Sequence, residues 1–100
     1  MELTRAARDV LAERQRQVES EGWSSGHDDE YEVGTLASAA INYATPLSAE
    51  KGVNQRPAFY WPWDLSWWKP SPYRRNLIKA ASLILAEIER LDRAESKKQP

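Results

Sequence analysis

The sequence predicts a small all-α domain: three main helices, a long ordered Trp- and Pro-rich loop, and assembly into a homo-oligomer. Two observations carry the fold class. Apolar residues recur at helical spacing in three separate segments. The stretch between the second and third segments has no lasting period but holds Phe59, Tyr60, Trp61, Trp63, Trp67 and Trp68. A chain of 100 residues is too short for two independent cores, so residues 1–100 form a single domain. A hydrophobic fraction of 41% with five Trp is too rich in core-forming side chains for a disordered chain.

The first helix is predicted over about residues 2–19. Leu3, Ala7, Val10, Leu11 and Val18 fall near one side, while Arg5, Arg8, Glu13, Arg14 and Arg16 fall mostly elsewhere. Gly22 and Gly26 then break the period, and Glu21, Asp28, Asp29, Glu30 and Glu32 gather without a Lys or Arg among them. A carboxylate at Asp28 or Asp29 suits a helix N-terminus, where free N–H groups and the dipole favour negative charge. The second helix is therefore predicted over about residues 29–45, with Val33, Leu36, Ala37, Ala40, Ile41 and Ala44 at helical spacing and Pro46 as its stop.

Residues 46–70 read as an ordered loop with a short helical turn at Asp64–Trp68. Pro46, Gly52, Pro57, Pro62 and Pro70 interrupt any period. At about 25 residues the loop is long for a connection inside a domain, and such loops are usually functional or disordered. Its aromatic content opposes disorder, since each buried Trp removes on the order of 200 Å² from water. The third helix is predicted over about residues 71–94, with Ser71 as N-cap and Pro72 in the first turn. Leu77, Ala81, Ile84, Ile88 and Leu91 alternate in steps of four and three, which is a heptad seam, and Ile78 and Leu85 widen it. The polar residues 95–100 read as a frayed tail.

Composition excludes several classes. With Cys at zero there are no disulfides, and no apolar run approaches the roughly 18–20 residues that span a bilayer. The N-terminus lacks the apolar stretch of a secretory signal, so a cytoplasmic location and no membrane partner are expected. A net charge of −1 gives no global attraction to nucleic acid, so neither DNA nor RNA is an expected partner.

The richest chemistry lies where the aromatic loop meets the third helix. Lys69, Arg74, Arg75 and Lys79 follow the Trp cluster with no acidic residue between them. Aromatic faces stack on a base for roughly 1–3 kcal/mol, and Arg forks hold phosphate oxygens in pairs. Trp61, Trp63, Trp67, Trp68, Lys69, Tyr73, Arg74 and Arg75 are thus the candidate ligand-binding residues for a nucleotide-derived small molecule. In the plainer alternative the Trp residues are only core, and the basic residues are either solvated or paired with the acidic stretch Asp28–Glu32.

A weaker constellation joins Asp29 and Glu32 to Glu89 and Asp92 as carboxylate pairs on two helices, an arrangement that holds Mg²⁺ in phosphate-cleaving enzymes. Capping and the helical pairs Glu89–Arg93 and Glu87–Arg90 account for the same residues. His27 is the sole histidine, which leaves zinc without its usual ligands and offers little to a nucleophilic centre. No catalytic residue, metal or cofactor is assigned.

The motifs Glu13-Arg14-Gln15-Arg16-Gln17, Glu21-Gly22-Trp23, His27-Asp28-Asp29, Gly34-x-Leu36-Ala37, Trp61-Pro62-Trp63, Trp67-Trp68-Lys69-Pro70, Arg74-Arg75 and Leu83 to Asp92 span most of the chain. Together they resemble a group of small accessory proteins encoded by temperate phages and prophages. Thr35 stands where that group has an acidic residue, which counts against a carboxylate metal site in the second helix. Accessory phage proteins often disarm host immunity. The resemblance therefore implies an anti-defence sponge in the host cytoplasm that sequesters a nucleotide-derived immune signal, such as a cyclic nucleotide or an ADP-ribose derivative. The alternatives are a MazG-like nucleotide pyrophosphohydrolase and an interaction protein that grips a host protein through its Trp-rich loop.

Overall fold

The computed structural model describes residues 2–46 and 56–98, and among these the chain is helical with no strand. Helix α1 spans Arg5–Ser20, α2 is the short turn Ser25–Asp28, α3 spans Thr35–Ala44 and α4 spans Tyr73–Lys98. A 3-10 turn, Leu65–Trp67, lies before α4. Its N-cap is Asp64, whose Oδ1 accepts a hydrogen bond from Ser66 N–H at 2.8 Å, so the turn falls within the stretch that the sequence marks for one. Residues 47–55 of the predicted loop and 99–100 of the predicted tail lie outside the described residues.

Two boundaries differ from the sequence expectation. The second long helix begins at Thr35, because Gly34 adopts a left-handed φ of 92° that ends one path and starts another. Asp28 instead closes α2, and Ser24 caps that turn with its hydroxyl accepting from His27 N–H. At the other end α4 continues through Glu95 to Lys98, carrying one helix into the segment read as a frayed tail.

The long α4 is the scaffold on which α1, α2 and α3 all pack. Small side chains set the closest pairing. Ala39 and Ala40 of α3 meet a cluster containing Ala80, Leu83 and Ala86 of α4, with Leu36, Tyr43 and Trp68 completing the core. Trp23, Tyr31, Trp61 and Trp63 pack against it from the loops.

Two helices turn a different face inward from the one their apolar spacing suggests. On α1 the buried residues are Glu13, Arg14 and Gln17, while Leu11 and Val18, and Leu3 just before the helix, stay exposed. The cause is polar tethering. Ser82 Oγ donates to Val10 O at 3.1 Å, Arg14 Nε lies 3.2 Å from Glu89 Oε1, and Arg75 pairs with Glu13. On α4 the buried face runs through Asn76, Ala80, Leu83, Ala86, Glu87 and Arg90. The heptad residues Leu77, Ile84, Ile88 and Leu91 point away from it. Of the two predicted helical pairs, Glu87–Arg90 forms at 2.6 Å, whereas Glu89 turns to Arg14 and Arg93 to Asp29.

Candidate functional site

The site begins where α1 ends. Gly22, with φ 73°, folds the chain back so that Trp23 N–H donates to Gln17 O at 3.0 Å. That turn aims Trp23 at the loop tryptophans: its ring centroid lies 5.7 Å from Trp63 and 6.4 Å from Trp67. One turn further on, His27 stacks parallel to Trp23 at 6.3 Å, and Tyr31 meets His27 edge-on at 5.2 Å. Tyr31 also contacts Trp63 at 5.6 Å. The buried Arg14–Asp28 ion pair, 2.9 Å between Nη2 and Oδ2, holds α2 against α1 and so fixes this geometry.

These rings wall a cavity of about 450 Å³ lined by Glu21, Trp23, His27, Tyr31, Trp63, Asp64 and Trp67. The Asp64 carboxyl is held below its ordinary range by the backbone N–H of Ser66. It therefore presents an anionic acceptor at an aromatic wall. Glu21, Trp23 and Trp67 also line a narrow neck of about 40 Å³ that brings in Lys69, Lys79 and Tyr43. Through Glu13 and Arg16 the neck adjoins a wider depression of about 520 Å³ bordered by Arg74 and Arg75. The three adjoining hollows form a groove with an aromatic end, a waist that carries Lys69 and Lys79 beside the Glu13–Arg16–Glu21 ion pairs, and a mixed-charge far end.

The waist is organised by Tyr43. Its hydroxyl accepts from Lys69 N–H at 3.2 Å, and burial pushes its pKa above the ordinary tyrosine value. Lys69 Nζ sits 5.5 Å from the Trp67 ring centroid, and Lys79 Nζ sits 5.4 Å from that of Tyr43. Lys79 donates to Lys69 O at 2.7 Å and to Ser71 Oγ at 2.9 Å. Burial, and then the nearby Arg75 charge, lowers its pKa. Among the described residues neither lysine has a carboxylate within ion-pairing distance. Two buried atoms along the groove walls, Gln17 Oε1 and Trp63 Nε1, have no hydrogen-bond partner among the described residues.

The eight residues expected to bind ligand separate by position. Trp63, Trp67 and Lys69 line the groove. Trp68 is in the core, with its ring 4.7 Å from Tyr43 and 5.1 Å from Trp61. Trp61 braces the loop, its Nε1 donating to Asp64 O at 3.0 Å, and Tyr73 OH donates to Ala44 O at 3.1 Å. Arg74 and Arg75 border the far depression but are already paired, Arg74 Nη1 lying 2.9 Å from Asp9 Oδ2 and Arg75 donating to Glu13.

The two arginines are thus answered by α1, not by the acidic stretch 28–32 that the plainer sequence reading pairs with the basic residues. Asp28 pairs with Arg14, and Asp29 pairs with Arg93 at 2.8 Å and Lys97 at 3.5 Å. Burial raises the Glu13 carboxyl pKa, but hydrogen bonds and charge from Arg16 and Arg75 outweigh it and hold the group low. Among the described residues no three His, Cys, Asp or Glu side chains gather in a metal-binding group. Sequence reasoning missed Trp23, His27 and Tyr31. Their i,i+4 spacing, Trp23 to His27 to Tyr31, is the available signal, since it brings the three rings into successive contact.

Fold and groove together define a small helical protein organised around an aromatic-walled cavity. Comparison with known protein families, curated proteins and solved structures finds no match for the chain.

Proposed function

We propose that the protein captures a nucleotide-derived small molecule, taking the base against the aromatic wall of Trp23, Tyr31, Trp63 and Trp67 and the phosphates at Lys69 and Lys79. One observation carries this reading: an aromatic cavity of about 450 Å³ shares Glu21, Trp23 and Trp67 with a neck holding two lysines that, among the described residues, have no carboxylate within ion-pairing distance. Base stacking is worth roughly 1–3 kcal/mol per ring, and an ammonium released from its own hydration favours a phosphate oxygen. Asp64 and Glu21 add acceptors for the N–H groups of a base or the hydroxyls of a ribose. Arg74 and Arg75 play a lesser part than their sequence position suggests, because Asp9 and Glu13 already hold them.

In the phage setting that the sequence resemblance implies, such a protein is an anti-defence sponge in the host cytoplasm. It holds a cyclic nucleotide or ADP-ribose-derived signal intact and lowers its free concentration by mass action. The test is to incubate the protein with a lysate containing such signals, wash it, release bound molecules by heating and identify them by mass spectrometry. An intact nucleotide derivative is the predicted result; hydrolysed products alone would make the protein an enzyme. Exposed Phe59 and Tyr60 favour a second reading, in which the loop grips a host protein.

A further inference from the structure

The outward face of α4 is apolar and, among the described residues, is left half-exposed. Leu77, Ile84, Ile88 and Leu91 are between 41% and 50% exposed, and Ala81 completes their line. On a helical wheel this line lies opposite the buried residues Leu83, Ala86 and Arg90. Single exposed apolar side chains need no explanation, but these recur every three and four residues over four turns, the spacing that meshes one helix with another.

We infer that this stripe pairs with the same stripe of a second copy, the two α4 helices running antiparallel. A seam centred on Ile84 is self-complementary under a two-fold axis, as a closed dimer requires. Charge fixes the direction. Arg74 and Asp92 lie on the same flank of the stripe, about five turns apart, with Glu95 continuing its line beyond Leu91. In a parallel pair the like flanks lie on opposite edges of the seam, so Arg74 would meet no carboxylate of the other copy. Antiparallel helices set each Arg74, whose half-exposed guanidinium also holds Asp9 of its own protomer, beside the Asp92 and Glu95 of the other copy. Among the described residues Asp92 and Glu95 have no cationic partner within the protomer, so their charge is free for this role. The dimer is independent of the ligand reading, since the stripe residues other than Arg74 do not line the groove.

Sedimentation equilibrium of the full chain across micromolar concentrations should give a dimer. Ile84→Glu should raise the dimer Kd by about a hundredfold or more while leaving the helical circular dichroism intact, because Ile84 is outside the protomer core. The native chain has no cysteine, so engineered thiols report the direction. Under oxidation Leu77→Cys mixed with Leu91→Cys should yield crosslinked heterodimers, and Leu77→Cys alone should not crosslink. A monomer at about 100 µM, a higher oligomer, or efficient crosslinking of Leu77→Cys with itself would overturn the proposal.

Discussion

The ammonium of Lys69 rests 5.5 Å from the centroid of the Trp67 ring, placing a cation and an aromatic face side by side at the waist of the groove. A cation over a ring gains modestly by itself at an exposed site, roughly 0.5–1 kcal/mol, and it remains available to an anion. In the proposed capture of a nucleotide, Lys69 would meet a phosphate and Trp67 the base.

Replacing Lys69 with Met should therefore weaken capture of a phosphate-bearing ligand by about tenfold, the effect of one charge-assisted hydrogen bond, with little change in Tm. Isothermal titration of both forms with the same nucleotide measures the difference. Equal affinities would remove Lys69 from the site.

Adjacent tryptophans should behave oppositely. Trp68 is 8% exposed within the core, so Trp68→Ala should cost about 3–5 kcal/mol and unfold much of the population. Trp67 is 45% exposed on the groove wall, and Trp67→Ala should leave the fold standing while reducing capture about tenfold or more. Chemical denaturation and ligand titration of the two variants separate core from site.

Asn42 fastens the aromatic loop to α3. It is fully buried, its Nδ2 donates to Tyr60 O and its Oδ1 accepts from Phe59 N–H, both at 2.8 Å. Asn42→Ala leaves those backbone groups to water or unpaired, which should cost about 1–2 kcal/mol and lower Tm by about 5–10 °C. Differential scanning fluorimetry provides the reading.

Acid should destabilise the fold through Glu13 and Glu87. Burial raises both pKa values, but the partners of each, Arg16 and Arg75 for Glu13 and Arg90 with Gly34 N–H for Glu87, outweigh it and leave both below the ordinary value of 4.5. The unfolded chain then binds more protons than the native state in that range. Stability from these groups is complete above pH 4.5 and falls as the pH drops towards the depressed values. Urea denaturation between pH 7 and pH 3 should show this decline, and Glu13→Gln should be less stable at pH 7 but flatter below pH 5.

What the sequence disclosed follows from which forces act locally. Helical spacing marks α1, α3 and α4 because it is written within each segment. The inward face of α1 was not legible, because Glu13, Arg14 and Gln17 are buried by partners as distant as Arg75 and Glu89. Nor was the start of α3, where Gly34 takes a left-handed turn and its N–H is held by the Glu87 carboxylate at 2.9 Å. In the site, Trp63, Trp67 and Lys69 were visible as a local cluster. The i,i+4 spacing groups Trp23 with Tyr31, but they reach the loop tryptophans only through the turn at Gly22 and the Arg14–Asp28 pair, which that spacing does not encode.

The central claim is tested most directly by titrating the full chain with mononucleotides, cyclic dinucleotides and ADP-ribose derivatives while following tryptophan fluorescence and heat together. Saturable binding of at least one class is predicted, with quenching that is lost in Trp67→Ala and with the ligand recovered unchanged. A folded protein that binds none of these classes would contradict the account and leave the exposed aromatic loop to a protein partner.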